Sequence, residues 1–106
     1  MSRRGVVLVL FDLPVQEREE RKAYALFRKN LKALGYRMVQ ESVYVKLLRN
    51  RAFSEQEMVR LQEITPQNNG SSLLALPLSL NQFRQLRALA GKGFDLSIFS
   101  DDIVFL

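Results

Sequence analysis

The chain has 106 residues, 47% hydrophobic and 25% charged, which suits one packed domain rather than two and a folded chain rather than a disordered one. It contains no cysteine and no histidine, which excludes disulfide frameworks, thiolate zinc sites, imidazole bases and serine–histidine triads, and leaves catalysis to carboxylates, hydroxyls, lysine or a hard cation held by oxygen. Sixteen Lys+Arg against eleven Asp+Glu give a formal charge of +5, a balance that fits a polyanionic partner, most commonly a phosphate backbone.

Val6–Phe11 is a continuous apolar, β-branched-rich run. That is the pattern of an interior strand covered on both faces, and Asp12-Leu13-Pro14 ends it. Arg3-Arg4 before this run mimics a signal peptide, but the six apolar residues stop at Asp12 and Pro14, with no small-residue cleavage site after them. No apolar run is long enough for a bilayer. A cytoplasmic protein with no membrane partner is expected. From Glu17 to Leu34 the period becomes helical, with Tyr24, Phe27, Leu31 and Leu34 on one face and Gly35 at the C-cap. Tyr36–Gln40 and Ser42–Leu48 alternate like strands, with no strong turn signal to decide between two strands and one bent strand.

Ser54-Glu55-Gln56-Glu57 has capping-box spacing, and Met58, Leu61 and Ile64 give the helix after it an apolar side that Thr65-Pro66 closes. Gln67–Gly70 is a loop, and Leu73–Leu78 a strand that Pro77 assigns to an edge or an end. Ser79 and Gln82 open a short third helix with Phe83, Leu86 and Ala90 facing inward. Phe94–Phe99 and Ile103–Leu106 are strand candidates for a terminal ribbon.

The expected fold is therefore a single α+β domain, a ferredoxin-like split β-α-β-β-α-β antiparallel sheet with a short extra helix and a C-terminal strand ribbon. Two helices cover one face of such a sheet, yet Val6–Phe11 is apolar on both. A homodimer with its sheets packed face to face would bury the other face. The apolar terminus Ile103, Val104, Phe105 and Leu106 is the expected partner contact, because a free apolar strand invites pairing with another chain.

Asp12 is the one acid in the first sixteen residues and follows a buried strand directly. It is the candidate catalytic and metal-ligating residue, a turn-forming aspartate being the plainer alternative. One carboxylate is a poor metal site, but a twofold axis near the strand end would pair two, and magnesium, Mg(2+), needs only one or two protein carboxylates besides its waters. Ser42 and Tyr44, two apart, are candidates for supporting that site.

Residues 1–51 hold twelve bases and five acids, whereas residues 52–106 hold four bases and six acids. Arg28, Lys29 and Lys32 have no acid within four residues on the first helix. With Arg3, Arg4, Arg37, Lys46, Arg49 and Arg51 they are the candidates for nucleic-acid contact. Aromatic interleaving for single-strand stacking is missing, so backbone binding to a duplex fits better than base reading.

The segments VVLVLFDLP, EERKAYALFRKNLKALGYRMVQESVYVKLLRN and SDDIVFL resemble the small CRISPR-associated protein of the spacer-acquisition complex, the second of the two adaptation proteins, in its type II form. The resemblance implies a ferredoxin-like dimer whose terminal strand joins the partner contact. It implies that Asp12 is the magnesium ligand of a nuclease acting on RNA or double-stranded DNA. It also implies a bridge between dimers of the larger CRISPR adaptation integrase, with prespacer DNA lying across it. Ser42 and Tyr44 match the family's S-x-Tyr/Phe pattern, while Phe11 stands where the family often has tyrosine. A weaker resemblance, to the virulence-associated D proteins, implies a toxin-like metal-dependent endoribonuclease on the same fold. One candidate carboxylate and no histidine rank the scaffold role ahead of fast hydrolysis.

Overall fold

The computed structural model describes residues 3–91; Phe94–Phe99 and the Ile103–Leu106 partner contact lie outside the described residues. In chain order the elements are β1 (Gly5–Asp12), α1 (Arg18–Ala33), β2 (Arg37–Gln40), β3 (Val43–Leu48), a 3-10 turn (Arg51–Phe53), α2 (Ser54–Ile64), β4 (Ser72–Ser79) and α3 (Leu80–Phe83). All three strand pairings are antiparallel, and the order across the sheet is β2-β3-β1-β4. This is the ferredoxin-like split β-α-β-β-α-β arrangement. Among the described residues no helix is long and apolar enough to cross a membrane.

Alternation along the central strand β1 divides the interior in two. Val7, Val9 and Phe11 join Phe27, Leu31, Tyr44 and Leu61 beneath α1 and α2. Val6 packs on the other face with Val45, Leu47, Leu80 and Phe83. Among the described residues α3 covers one end of that second face, and Leu86–Gly91 line a groove with Leu8, Leu10, Val39 and Val43. The third helix is shorter than its sequence suggests, stopping at Phe83, with Leu86 and Ala90 beyond it and exposed. Leu80 and Phe83 already fill the covered end, and the Ser79–Gln82 capping box secures just that turn.

The stretch after α1 forms two strands, joined by a turn at Glu41-Ser42 and carrying an irregularity between Met38 and Gln40. Pro77 lies on β4, an edge strand, where its missing N–H costs the ladder nothing. The end of α1 is a Schellman turn. Gly35 adopts φ 98° and donates to the Lys32 carbonyl, while the Tyr36 N–H reaches back to Leu31, both at 3.0 Å. Tyr36 is thereby delivered into the core.

The Ser54–Glu57 capping box does not form. The Ser54 hydroxyl donates instead to the Arg51 carbonyl, and Phe53 is the N-cap of α2. Glu57 turns inward and is 2% exposed. Its carboxylate accepts from the Tyr36 hydroxyl at 3.0 Å, from Lys46 Nζ at 3.1 Å and from Arg60 at 3.0 Å. Two cations and a phenol outbid one backbone N–H, because charge-assisted hydrogen bonds are about twice as strong as neutral ones.

Glu57→Ala should therefore lower stability by about 3 kcal/mol, since it strands a half-buried ammonium and a buried phenol. Burial first, then the charge of Glu57 and the hydrogen bond to it, push the Tyr36 phenol above its ordinary value of 10.0. The folded chain keeps a proton that the unfolded chain releases above about pH 10, so this contribution is complete below that pH and drains away as pH rises further. Tyr36→Phe should show a shallower alkaline fall than wild type. Denaturant midpoints between about pH 8 and 11 measure it, and equal slopes would assign the titration to another group.

Candidate metal and nucleic-acid site

Asp12 is the last residue of β1, and its position is set by its neighbours rather than by any contact of its own. The Phe11 ring is held edge-on to Phe27 at 5.0 Å and beside Tyr44 at 5.7 Å. Leu13 is buried in the same cluster, and Pro14 lies against Gly70 of the loop before β4. With anchors on both sides, the carboxylate between them is left exposed. No hydrogen bond or ion pair engages it among the described residues. Asp12 is level with Ser72 on β4, and the Phe11 N–H donates to the Ser42 carbonyl at 3.1 Å, so two serines flank the strand end.

Strand alternation places Asp12 on the face away from α1 and α2, in line with Leu10 and Leu8. Leu74 and Leu76 of β4 share that face, 66% and 49% exposed, next to Leu10 at 38%. The site candidate thus sits at the rim of an apolar sheet surface that is exposed at these leucines.

An exposed, unengaged carboxylate is the hard-oxygen ligand that magnesium takes. Among the described residues, however, no three acids gather as a metal-binding group. One chain offers one carboxylate, which fits magnesium only with waters or with a second chain's carboxylate completing the shell.

The candidates for supporting this site separate. Ser42 is beside the strand end, exposed in the β2–β3 turn. Tyr44 is on the opposite face, fully buried, and its hydroxyl accepts from Arg28 Nε at 3.1 Å. It is a core residue that positions Arg28. The Arg28 guanidinium also lies over the Tyr24 ring at 5.8 Å, and its bond to Tyr44 raises its already high pKa.

The nucleic-acid candidates also occupy different places. Lys29 and Lys32 are exposed on α1, whereas Arg28 is half-buried. Arg37 is on the edge strand β2, half-buried. Arg49 and Arg51 are exposed at the other end of β1 from Asp12. Lys46 points under the helices, its ammonium on Glu57 and over the Tyr36 ring at 5.7 Å, which makes it a structural residue first.

The family described as "CRISPR associated protein Cas2" matches residues 5–86. The chain belongs to that family. It is 39% identical over 102 residues to the "CRISPR-associated endoribonuclease Cas2" of Streptococcus mutans serotype c (strain NN2025), covering 94% of this chain and 92% of the relative. A protein of the same name from Ligilactobacillus salivarius (strain UCC118) is 37% identical, over 81% of this chain and 83% of its own length. A solved structure described as "Crystal structure of cas2" superposes with a TM-score of 0.58 at 21% identity, over 85% of this chain and 90% of that one, and supports the fold alone.

Sequence reading missed Glu57 as an interior residue, although its spacing carried the signal. Glu57, Leu61 and Ile64 follow the i, i+4, i+7 stripe, which places the acid on the buried side of α2. Lys46, midway between Tyr44 and Leu48 on β3, faces the same layer.

Lys46→Met should lower stability by about 1–2 kcal/mol, because Glu57 keeps Tyr36 and Arg60 but loses the more buried of its two cations. It should leave the salt dependence of duplex binding unchanged. A melting curve with a salt titration reads both effects, and a flattened slope at wild-type stability would return Lys46 to the surface.

Proposed function

We propose that the protein is a subunit of CRISPR spacer acquisition that acts as a twofold homodimer. It holds double-stranded DNA, presents it to the larger adaptation integrase, and supports magnesium-dependent cleavage of RNA or double-stranded DNA at paired Asp12 residues. The observation that carries this reading is the exposed Asp12 carboxylate at the rim of a sheet face on which Leu10, Leu74 and Leu76 are exposed. A second copy packed sheet to sheet would bury these leucines, each worth about 1.5–3 kcal/mol when fully covered. It would also bring two carboxylates near one axis. Facing carboxylates repel unless a proton or a cation lies between them, so the pair favours a divalent ion. Relatives named as endoribonucleases support the nuclease half of the reading.

Within one chain Asp12 supplies the hard oxygen ligand, and the anchored Phe11 and Leu13 hold it in place without neutralising it. Exposed Ser42 and Ser72 are the hydroxyls nearest the strand end and offer hydrogen bonds to phosphate oxygens. Magnesium bound by the paired carboxylates would supply Lewis-acid stabilisation of the charge on the phosphoryl oxygens. A histidine general base is missing, as the chain has none, and among the described residues no three acids gather at Asp12. General acid–base help is worth about 10²–10⁴-fold, so slow cleavage is expected and the scaffold role comes first.

Asp12→Asn should abolish magnesium-dependent cleavage while the mass in solution stays that of the dimer, because asparagine keeps the shape and removes the charge. Retained cleavage in the purified variant would overturn the catalytic assignment of Asp12. Leu74→Asp with Leu76→Asp should give a monomer that neither cleaves nor supports acquisition. Sedimentation showing an unchanged dimer would move the interface off this face. RNA cleavage by a protein that never binds the integrase would favour the toxin-like endoribonuclease.

A further inference from the structure

Asparagine is a thermolabile residue, because the next residue's backbone nitrogen can attack its side-chain carbonyl carbon and expel ammonia. Both atoms must be free to meet. The chain has five asparagines, Asn30, Asn50, Asn68, Asn69 and Asn81, and the fold occupies one atom or the other at four of them. Asn30 lies inside α1, where the following N–H belongs to the helical ladder. After Asn81 in α3, the Gln82 N–H donates to the Ser79 hydroxyl at 3.0 Å. Asn50 has both atoms engaged: its side chain accepts from the Ala52 N–H at 2.9 Å, and the Arg51 N–H donates to the Arg3 carbonyl at 3.0 Å. The Asn68 side chain accepts from the Ser71 hydroxyl at 2.6 Å. Asn69 differs. It is exposed, its side chain makes no hydrogen bond among the described residues, and there the Gly70 N–H donates none.

Asn69 and Gly70 are the central residues of a turn closed by the Ser71 N–H on the Asn68 carbonyl at 3.2 Å. Gly70 takes φ 88°, which a type II turn demands at its third residue and glycine adopts freely. The absent Cβ also leaves the Gly70 nitrogen unshielded. Because the turn is exposed, it can open locally while the sheet stays folded. We infer that Asn69 is a self-modification site, at which the folded chain converts this asparagine to aspartate and isoaspartate without an enzyme. The Gly70 nitrogen bonds to Asn69 Cγ, the Cγ–Nδ2 bond breaks, and ammonia leaves with the Gly70 proton, which closes a succinimide ring. Water then opens the ring. Breaking the new N–Cγ bond gives aspartate, and breaking the original peptide bond gives isoaspartate, with the chain running through the side chain. Nothing is oxidised or reduced, and water is the one co-reactant. Either product adds a carboxylate to the groove that Asn69 lines with Glu17, Glu19 and Glu20. These acids already share the half charge at the start of α1, and Glu20 accepts the Glu17 N–H at 2.8 Å, so the newcomer meets repulsion. A Cβ on Gly70 would stand 3.7 Å from Pro14 Cγ, so the repulsion acts on the loop that braces the chain just after Asp12.

The experiment holds the folded full chain in mildly alkaline water labelled with heavy oxygen and follows it by ion exchange and peptide mass. Wild type should build up a more acidic form carrying one labelled oxygen at residue 69, in two products that chromatography separates. N69Q should lose that form, because glutamine would have to close a larger ring, while N68Q should keep it. N69D should elute with the acidic form from the start. It should also melt below wild type at low salt, with the gap closing at about 1 M salt, where charges are screened beyond about 3 Å. No label at residue 69 while the chain stays folded overturns the inference, as does label entering Asn30, Asn50, Asn68 or Asn81 at the same pace. An acidic form of equal size in N69Q overturns it too. N69D melting with wild type at low salt would overturn the repulsion from the α1 acids.

Discussion

Every residue of β1 from Gly5 to Leu10 is paired on both edges, to β3 on one side and β4 on the other, and the pairing with β4 continues to Asp12. A strand held this way cannot slide by one residue, since a slip would carry its whole apolar set to the wrong face. The Phe11 ring, seated among Phe27, Tyr24 and Tyr44, marks the register at the end that matters. Residue 12 consequently falls on the face that α1 and α2 leave open. Shifted by one place, the carboxylate would enter the layer under the helices, where an unpaired charge costs several kcal/mol. Packing of the aromatic cluster and orientation of the acid are thus one constraint.

The second fixed point is Glu57. A buried carboxylate with one partner is a weak source of stability, because desolvation offsets most of the attraction. Here three donors share it, and they come from different parts of the chain: Tyr36 just after α1, Lys46 on β3, and Arg60 on α2 itself. The stem of Lys46 also runs past Gly35, with 3.4 Å between its Cε and where a Cβ would stand, so the same turn that frees Tyr36 leaves room for the cation. Satisfying all four groups fixes how α2 seats on the sheet, and the apolar residues Leu61 and Met58 then close over the network.

Much of this was legible in the sequence because it is periodic. The unbroken run Val6–Phe11 identified the central strand, and Tyr24, Phe27, Leu31 and Leu34 gave the inward face of α1. Gly35 and Pro77 announced a helix end and an edge strand through backbone chemistry that few other residues share. Misreadings arose where a polar side chain had two partners to choose from. Glu57 could cap its helix or turn inward, and local spacing favoured the cap while tertiary partners decided otherwise. Tyr44 looked like support for Asp12 because both lie near one sheet end in sequence pattern, yet strand alternation sends them to opposite faces. Arg28 had no acid nearby along the helix, and its actual partner is a phenol from the sheet, which no helical count reveals.

The distribution of charge follows from the same geometry. Lys46 is absorbed by Glu57 and Arg28 is held by Tyr44, so the basic first half of the chain exposes fewer free cations than its composition suggests. Arg3, Arg49 and Arg51 are exposed at one end of β1, and the exposed Asp12 lies at the other. At contact distance the arginines and the carboxylate would satisfy one another, an attraction of about 4 kcal/mol at 4 Å near a protein surface. The acid would then be closed to a cation and the arginines to phosphate. Separated by the length of the strand, about 23 Å against a screening length of about 8 Å at physiological salt, they barely sense each other. Each end stays available for a partner of opposite sign.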